Sequence, residues 1–357
     1  MFNKQAVTVS LELGHSSHKI VRLSAIEGAT YALDSYTITP HECNISLPAL
    51  SESSFDDIRA ISASLRQALE SMGLKKGKMA VVLPDNFVLS KIISLRGPLD
   101  PDNTKEQIRS KLQAVLPLPL DKFNLSYQVV GEYNKKYIVV AEVILERHTQ
   151  EIEKLVHKLG FVPVMIDCSC FTGQNLFNEY LESGLNRNKN MAFFHLGHSC
   201  FTVLVFKNGE LRLSITKNIG VANFIDELSR NRQLIPKQAL KIMRKETIFL
   251  PEITEEQENV ENYAAIRESV AEIIRHVFAF FEYYLDRFHE TRIDEIIAGG
   301  GGINMTNFLP FLQNYLNIPV KQAGDLINVS HQGKQLPADE KNMLVPAIAA
   351  AVRTRGM

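Results

Sequence analysis

Hydrophobic and polar positions recur along this chain with two periods, and the places where the period changes divide it into elements. Residues 7–13 (VTVSLEL) alternate in β fashion and end at Gly14; 19–26 and 30–39 repeat the pattern across Glu27-Gly28. Three such runs in succession predict an antiparallel meander. Ser54 then caps a predicted helix with Asp56 and Asp57 in its first turn. Ile58, Ile61, Leu65, Leu69 and Met72 share one face of it, and Gly73 suits the position after its end. Met79–Leu83 reads as a buried strand closed by Pro84-Asp85.

The next stretch, 87–163, has its own rhythm. Val88–Leu95 is strand-like. Thr104–Leu116 is a predicted helix with Ile108, Leu112 and Val115 inward, stopped by Pro117 and Pro119. Phe123–Val130 and Tyr137–Val143 are predicted strands joined by a turn at Lys135-Lys136, and Thr149–Leu159 is a helix ended by Gly160. The β-α-β-β-α order predicts a compact α+β unit inserted in a larger domain.

Phe161–Asp167 is a further strand and Thr172–Leu185 a predicted helix; the polar run 186–190 marks a joint. The opening pattern then returns. Met191–Leu196 is a strand ended by Gly197, and Phe201–Phe206 and Leu211–Thr216 form a hairpin over Asn208-Gly209, a strong turn signal. A long helix over Ala264–Phe288 carries an apolar stripe from Ile266 through Val270, Ile273, Val277, Phe281 and Leu285 to Phe288. Ile293–Ala298 is a buried strand before four glycines, Gly299–Gly302; a helix starts near Thr306 or Asn307, and a short one spans Pro346–Arg353.

The composition fits a globular protein large enough for more than one core: 357 residues, 45% hydrophobic and 22% charged. A net charge of −1 argues against a dedicated nucleic-acid binder. Cys43, Cys168, Cys170 and Cys200 lack zinc-ribbon spacing and read as reduced thiols. The start of the chain is no signal peptide, and the longest apolar runs, such as Met343–Val352, are shorter than the ~20 residues that span a bilayer. Membrane association is expected only through a partner or a surface patch.

The candidate chemistry lies in a repeated turn. Glu12-Leu13-Gly14-His15-Ser16-Ser17-His18-Lys19 and His195-Leu196-Gly197-His198-Ser199-Cys200-Phe201-Thr202 each follow the first strand of their half. Such turns expose backbone N–H groups that favour phosphate oxygens. The later strand–glycine–helix turn lets a ligand approach the backbone and places a helix start behind it. The spacing His15/His18 and His195/His198, with Cys200, also allows a soft-metal set if the turns face each other. The plainer reading is turn residues pointing in different directions. Asp85 reads as a ligand contact or a turn former, Asp167 as a cleft residue or a solvated strand end. Lys241, Arg244 and Lys245 read as a solvated helix face.

Taken together, these segments resemble the actin-like superfamily, and within it the PilM family of type IV pilus assembly proteins. The resemblance runs over nearly the whole chain: LELGHSSHK at 11–19, VVLPDNFVLSKIISL at 81–95, LPLPLDKFNLSYQVVGE at 116–132, LGFVPVMID at 159–167, AFFHLGHSCFTVLVFKNGEL at 192–211 and RIDEIIAGGGGINMTNFLPFLQNYLNIPV at 292–320. The Pro-x-Pro-Leu-Asp run at 117–121 is the most family-specific. It implies an α/β, actin-like (ribonuclease H-like) fold. The first domain would span 1–86 and 164–190, the inserted subdomain 87–163, and the second domain 191–357, with the C-terminal helix able to pack back on the first.

The resemblance further implies a nucleotide cleft, with ATP as the ligand. Gly14, Ser16, Ser17 and Lys19 would form one phosphate turn and Gly197, Ser199 and Thr202 the other, with Gly299, Gly300, Gly301 and Gly302 beside the adenosine. The family has aspartates, which help organise Mg²⁺, where this chain has Glu12 and His195. It also has an acidic-then-lysine helix where this chain has PKQALKIMR at 236–244, with Leu240 and Met243 at the polar positions. These departures imply weak or lost ATP turnover and a non-enzymatic role. The implied role is a cytoplasmic scaffold, peripheral at the inner membrane. It would grip the cytoplasmic N-terminal peptide of a bitopic PilN-like protein in a groove lined by Ile92, Leu118, Leu120, Phe123 and Tyr127. The alternatives are an FtsA-like cell-division scaffold, a type II secretion component and a small-molecule kinase. AIAAAVRTRGM at the end is too short and weakly amphipathic for an FtsA-type anchor.

Overall fold

The computed structural model describes residues 8–27, 30–41, 62–116, 119–245, 248–249 and 257–354. The predicted cap Ser54 with Asp56, Asp57, Ile58 and Ile61, the residues Pro117 and Leu118, and Cys43 lie outside the described residues. The meander is present: β1 (Thr8–Leu13), β2 (Ser17–Glu27) and β3 (Thr30–Pro40) pair antiparallel. β4 (Gly77–Leu83) joins β1 in parallel, and β8 (Phe161–Cys168) joins β4 in parallel. The second half repeats the arrangement. β9 (Asn190–Leu196), β10 (Phe201–Lys207) and β11 (Glu210–Lys217) form an antiparallel meander; β12 (Glu295–Gly299) and β13 (Val320–Gln322) add parallel strands on the other side. The strand orders β3-β2-β1-β4-β8 and β11-β10-β9-β12-β13 are thus one design used twice.

The first sheet is larger than expected. β14 (Asn328–His331) and β15 (Lys334–Gln335) extend it beyond β3, so residues predicted for the second domain complete the first sheet. The C-terminal helix also returns to it and spans Ala338–Arg353 rather than Pro346–Arg353. A proline inside a helix forfeits a hydrogen bond. Here the continuous burial of Leu344–Ala351 outweighs that loss. This helix lies in the core that joins the lobes, where Leu344, Val345 and Ile348 meet Val21 and Leu33 of the first sheet and Phe193 and Ile297 of the second.

The strand β1 shows why its sequence alternates. Val9, Leu11 and Leu13 pack with Leu65, Leu69, Ile152 and Val156 from the helices Ser62–Ser71 and Glu146–Lys158 on one face. Ser10 and Glu12 point to the other face and are buried as well. The long helix Gln257–Phe288 lays its predicted stripe, Ile266 through Phe288, on the second sheet. The predicted helix 172–185 is broken into Ser169–Gln174, a 3₁₀ turn and Asn178–Glu182. There Asn175 Nδ2 donates to the Phe171 carbonyl at 3.0 Å, a local bond that competes with helix continuation. The helix Val221–Arg232 has no counterpart among the predicted elements.

The inserted unit is a three-stranded sheet, β5 (Leu89–Leu95), β7 (Lys136–Leu145) and β6 (Phe123–Tyr133), with the helix Pro101–Gln113 on one face. Asp100 caps that helix, accepting from Asn103 N at 3.2 Å, so it starts three residues earlier than its apolar pattern suggests. Its end at Gln113 leaves Val115 54% exposed instead of inward.

Candidate functional site

The two repeated turns fold alike. Gly14 N–H donates to Ser17 O at 3.0 Å, and Gly197 N–H donates to Cys200 O at 2.9 Å. Strand register then places Glu12 opposite Lys19 in the first hairpin and His195 opposite Thr202 in the second. Position by position, Glu12 matches His195, Gly14 matches Gly197, His15 matches His198, His18 matches Phe201, and Lys19 matches Thr202.

Glu12 and Lys19 form a buried ion pair, Lys19 Nζ to Glu12 Oε1 at 2.5 Å. The lysine is therefore held by its own hairpin. The first turn is fastened by His41, whose backbone N–H donates to Ser16 O at 3.0 Å and whose Nε2 lies 3.0 Å from Gly14 O. Since that carbonyl only accepts, Nε2 carries the proton. The ring of His41 stacks on His18 with centroids 5.9 Å apart. His41 was not foreseen: a histidine just past a predicted strand gives no signal of folding back.

The second turn is fastened by a helix start. Val221 N–H donates to Gly197 O at 3.2 Å and Ala222 N–H to His198 O at 2.7 Å. His195 and Thr202 reach across to the first lobe. Thr202 Oγ1 donates to Asp85 Oδ2 at 2.9 Å, and His195 Nδ1 lies 3.2 Å from the same oxygen. Asp85 is thus more than a turn former here; it bridges the lobes. Beside it, burial pushes the Cys200 thiol well up, against the pull of backbone N–H groups of Asn86 and Asp85.

Three glycines of the third turn are explained by packing within the protein. Gly300 has φ +88°, and a Cβ there would lie 2.4 Å from Leu196 O and 2.9 Å from the His195 ring. A Cβ at Gly302 would meet Leu196 at 2.5 Å, and one at Gly299 would meet Phe193 at 3.2 Å. Gly301 alone is exposed. An open pocket of about 390 Å³ begins just beyond it, lined by Ile303, Asn304, Phe308, Gln322 and Asp339 among others; it does not include the two turns.

Three histidines of the turns are kept neutral. His15 is held down to about 3 by burial, then by His198 and Lys19. His18 is held down to about 4 by burial and His41, and His198 is lowered chiefly by burial. The soft-metal set does not assemble: the group of close ligand atoms among the described residues is elsewhere, at Glu142, Asp167 and Cys168, all within 4.8 Å. The Asp167 side chain there is buried rather than solvated. It pairs with Arg353 of the C-terminal helix, and Glu142 is pushed up to about 7 by burial and the Asp167 charge.

A hydrated Mg²⁺ asks for several oxygens in octahedral geometry. Glu12 already has an ammonium 2.5 Å from one oxygen, and the matching position is an imidazole bonded to Asp85. The donor set does not fit that ion. A phosphate fits better. Ser199 Oγ and His15 Nε2 are buried without a partner; the His18 ring, also unpartnered, lies across from Leu13 on the core face of its strand, away from Glu12 and Lys19. In the helix Pro236–Lys245, Met243 is buried and Leu240 packs on the second core, so that helix turns apolar groups inward.

The groove residues divide between two faces. Leu120 and Phe123 are buried in the core of the inserted unit, and Tyr127 packs against it. Ile92 pairs with Val140 and points the other way, into the core between the lobes. Those residues therefore do not line one surface, because antiparallel partners share a face and their neighbours alternate.

The sequence profile of the family described as type IV pilus assembly protein PilM matches residues 10–354. The chain belongs to that family. The fold is similar to that of a chain from the PilM-PilN type IV pilus biogenesis complex, with TM-score 0.79 and 14% identity over 98% of each chain. It is also similar to MreB5 of Spiroplasma citri bound to AMPPNP (TM-score 0.55, 9% identity, 99% and 97% covered). The ethanolamine utilization protein EutJ from Carboxydothermus hydrogenoformans is a further match (TM-score 0.53, 11% identity, 96% and 88% covered). The expected actin-like fold is the fold found, and this PilM-family chain is a type IV pilus assembly protein. Among the described residues, no helix is long and apolar enough to cross a membrane.

Proposed function

We propose that this PilM-family chain is a cytoplasmic scaffold that binds the cytoplasmic N-terminal peptide of a bitopic, PilN-like inner-membrane protein and is held at that membrane by it. The observation that supports this most is the similarity over 98% of both chains to a member of a PilM-PilN complex. An extended peptide would dock against the inserted unit by strand pairing or apolar pockets. Tyr127, half-buried on β6, and Ile92, half-buried on the facing side, mark the two surfaces to test.

We further infer that the cleft between the turns binds ATP without efficient turnover. His15, Ser199 and the backbone of both turns would hold the phosphates. Of the packed glycine turn, exposed Gly301 would face the nucleoside. Glu12 and His195 would supply no metal-organising aspartate pair, and catalysis of phosphoryl transfer relies on such positioning.

The deciding experiment is calorimetric titration of the purified chain with a synthetic peptide of the PilN-like cytoplasmic tail, with and without ATP. Saturable 1:1 binding that Tyr127→Ala or Ile92→Glu weakens by about tenfold or more (~1.4 kcal/mol) supports the scaffold reading. Absence of binding in both conditions refutes it.

A further inference from the structure

Three unlike side chains converge where three parts of the fold meet. Glu142 comes from β7 of the inserted unit, and Asp167 and Cys168 close β8 of the first sheet. One ligand atom of each lies within 4.8 Å of the other two. Arg353, from the end of the C-terminal helix, pairs with Asp167. Ser90 Oγ donates to Glu142 Oε1 at 3.4 Å, and the Cys168 thiol donates to the same oxygen at 3.7 Å.

That spacing suits an ion. Sulfur and oxygen ligands of one tetrahedral Zn²⁺, at about 2.3 and about 2.0 Å from it, stand about 3.5 Å apart. The thiol proton now occupies the gap, and a bound metal releases such a proton. A second observation points the same way. Thr172 Oγ1, fully buried on the helix Ser169–Gln174, stands near Asp167 and its dipole favours that carboxylate, yet it completes no hydrogen bond. A buried hydroxyl left so costs about 1–3 kcal/mol unless something completes it.

The charges also ask for a divalent cation. With the thiol ionised, the three ligands carry three negative charges. Arg353 is the cation that faces both carboxylates. A divalent ion added to that guanidinium makes the cluster neutral. The thiolate favours a borderline-soft metal over Mg²⁺ or Ca²⁺, which prefer oxygen. Glu142 and Ser90 are half-buried, which leaves a way in from solvent.

We propose that Glu142, Asp167 and Cys168 form a site for one Zn²⁺-class ion, with Thr172 holding a water in its fourth position. The ion would fasten the inserted unit to the first lobe, since its ligands come from β7 on one side and β8 on the other. This site is independent of the nucleotide reading.

The test is titration of the full chain, purified without a polyhistidine tag, with Co²⁺ followed by absorption, and then displacement of Co²⁺ by Zn²⁺. The expected result is one equivalent bound, with a thiolate-to-cobalt charge-transfer band that Cys168→Ser abolishes and Cys200→Ala, at the buried thiol of the second hairpin, retains. Glu142→Gln keeps the thiol and should weaken binding at least about tenfold, and Thr172→Val by about tenfold. Zn²⁺ should raise the unfolding temperature of wild type and not that of Cys168→Ser. Circular dichroism checks that each variant is folded, and the Glu142→Gln arm keeps the test open if Cys168→Ser is not. No cobalt band in wild type, a band that persists in Cys168→Ser, or an affinity unmoved by Glu142→Gln overturns the inference.

Discussion

The two turns share a backbone and differ in where their side chains are spent. In the first, the strand positions flanking the turn close on each other as the Glu12–Lys19 pair. In the second, the matching His195 and Thr202 both reach Asp85 of the other lobe. One hairpin is self-contained; the other ties the lobes together. The same contrast holds for what fastens each turn: an imidazole and backbone of His41 in the first, the start of the helix Val221–Arg232 in the second. A duplicated scaffold can thus keep its geometry while its two copies of a site take on different work.

The largest effect is expected at the self-contained hairpin. Glu12→Ala leaves an ammonium buried without its partner and should destabilise by about 3–5 kcal/mol in denaturant unfolding. The paired replacement Glu12→Leu, Lys19→Met should recover most of that loss. If Glu12→Ala is neutral, the pair is not what holds this turn.

Asp85→Ala comes next. It removes the shared acceptor of His195 and Thr202 and should cost about 1–3 kcal/mol, with faster amide exchange in both β4 and β10. Thr202→Val removes one of those two bonds and should cost about 1 kcal/mol. Exchange that rises in only one lobe would mean that Asp85 does not couple them.

The smallest effect at neutral pH is expected from His18→Phe, which gives the first turn the residue of the second. Buried His18 is held down to about 4, below the ordinary value of 6.5. The unfolded chain therefore binds the proton more readily, so this contribution is complete above 6.5 and is lost as pH falls toward 4. The variant should unfold at a lower pH than wild type in an acid titration followed by circular dichroism. An unchanged acid midpoint would show that His18 is not part of the acid sensitivity.

What was legible in the sequence follows from locality. A strand ended by glycine and hydroxyl residues, written twice, announced both turns, because turn chemistry is fixed by neighbours. Asn208-Gly209 announced its hairpin for the same reason, and both residues have positive φ. The meeting of Asp85 with His195 and Thr202 depends on how two lobes close, which no local pattern encodes. β14 and β15 carry too few residues to show an alternation, and they join a sheet formed some 300 positions earlier, as in Ser330 beside Ala32. The groove residues divide between two faces for a subtler reason: Ile92 and Phe123 both read as apolar strand residues, but their pairing with Val140 and Leu145 puts them on opposite faces. At the glycine-rich turn the residue type was read correctly and its cause was not, since Leu196 and His195 demand the missing Cβ atoms at Gly300 and Gly302.

The claim that both turns have left metal-dependent chemistry behind is tested most directly by phosphate release from Mg-ATP by the purified chain and by Lys19→Ala. The account predicts no release above buffer for either protein. Metal-dependent release by wild type that Lys19→Ala abolishes would contradict it.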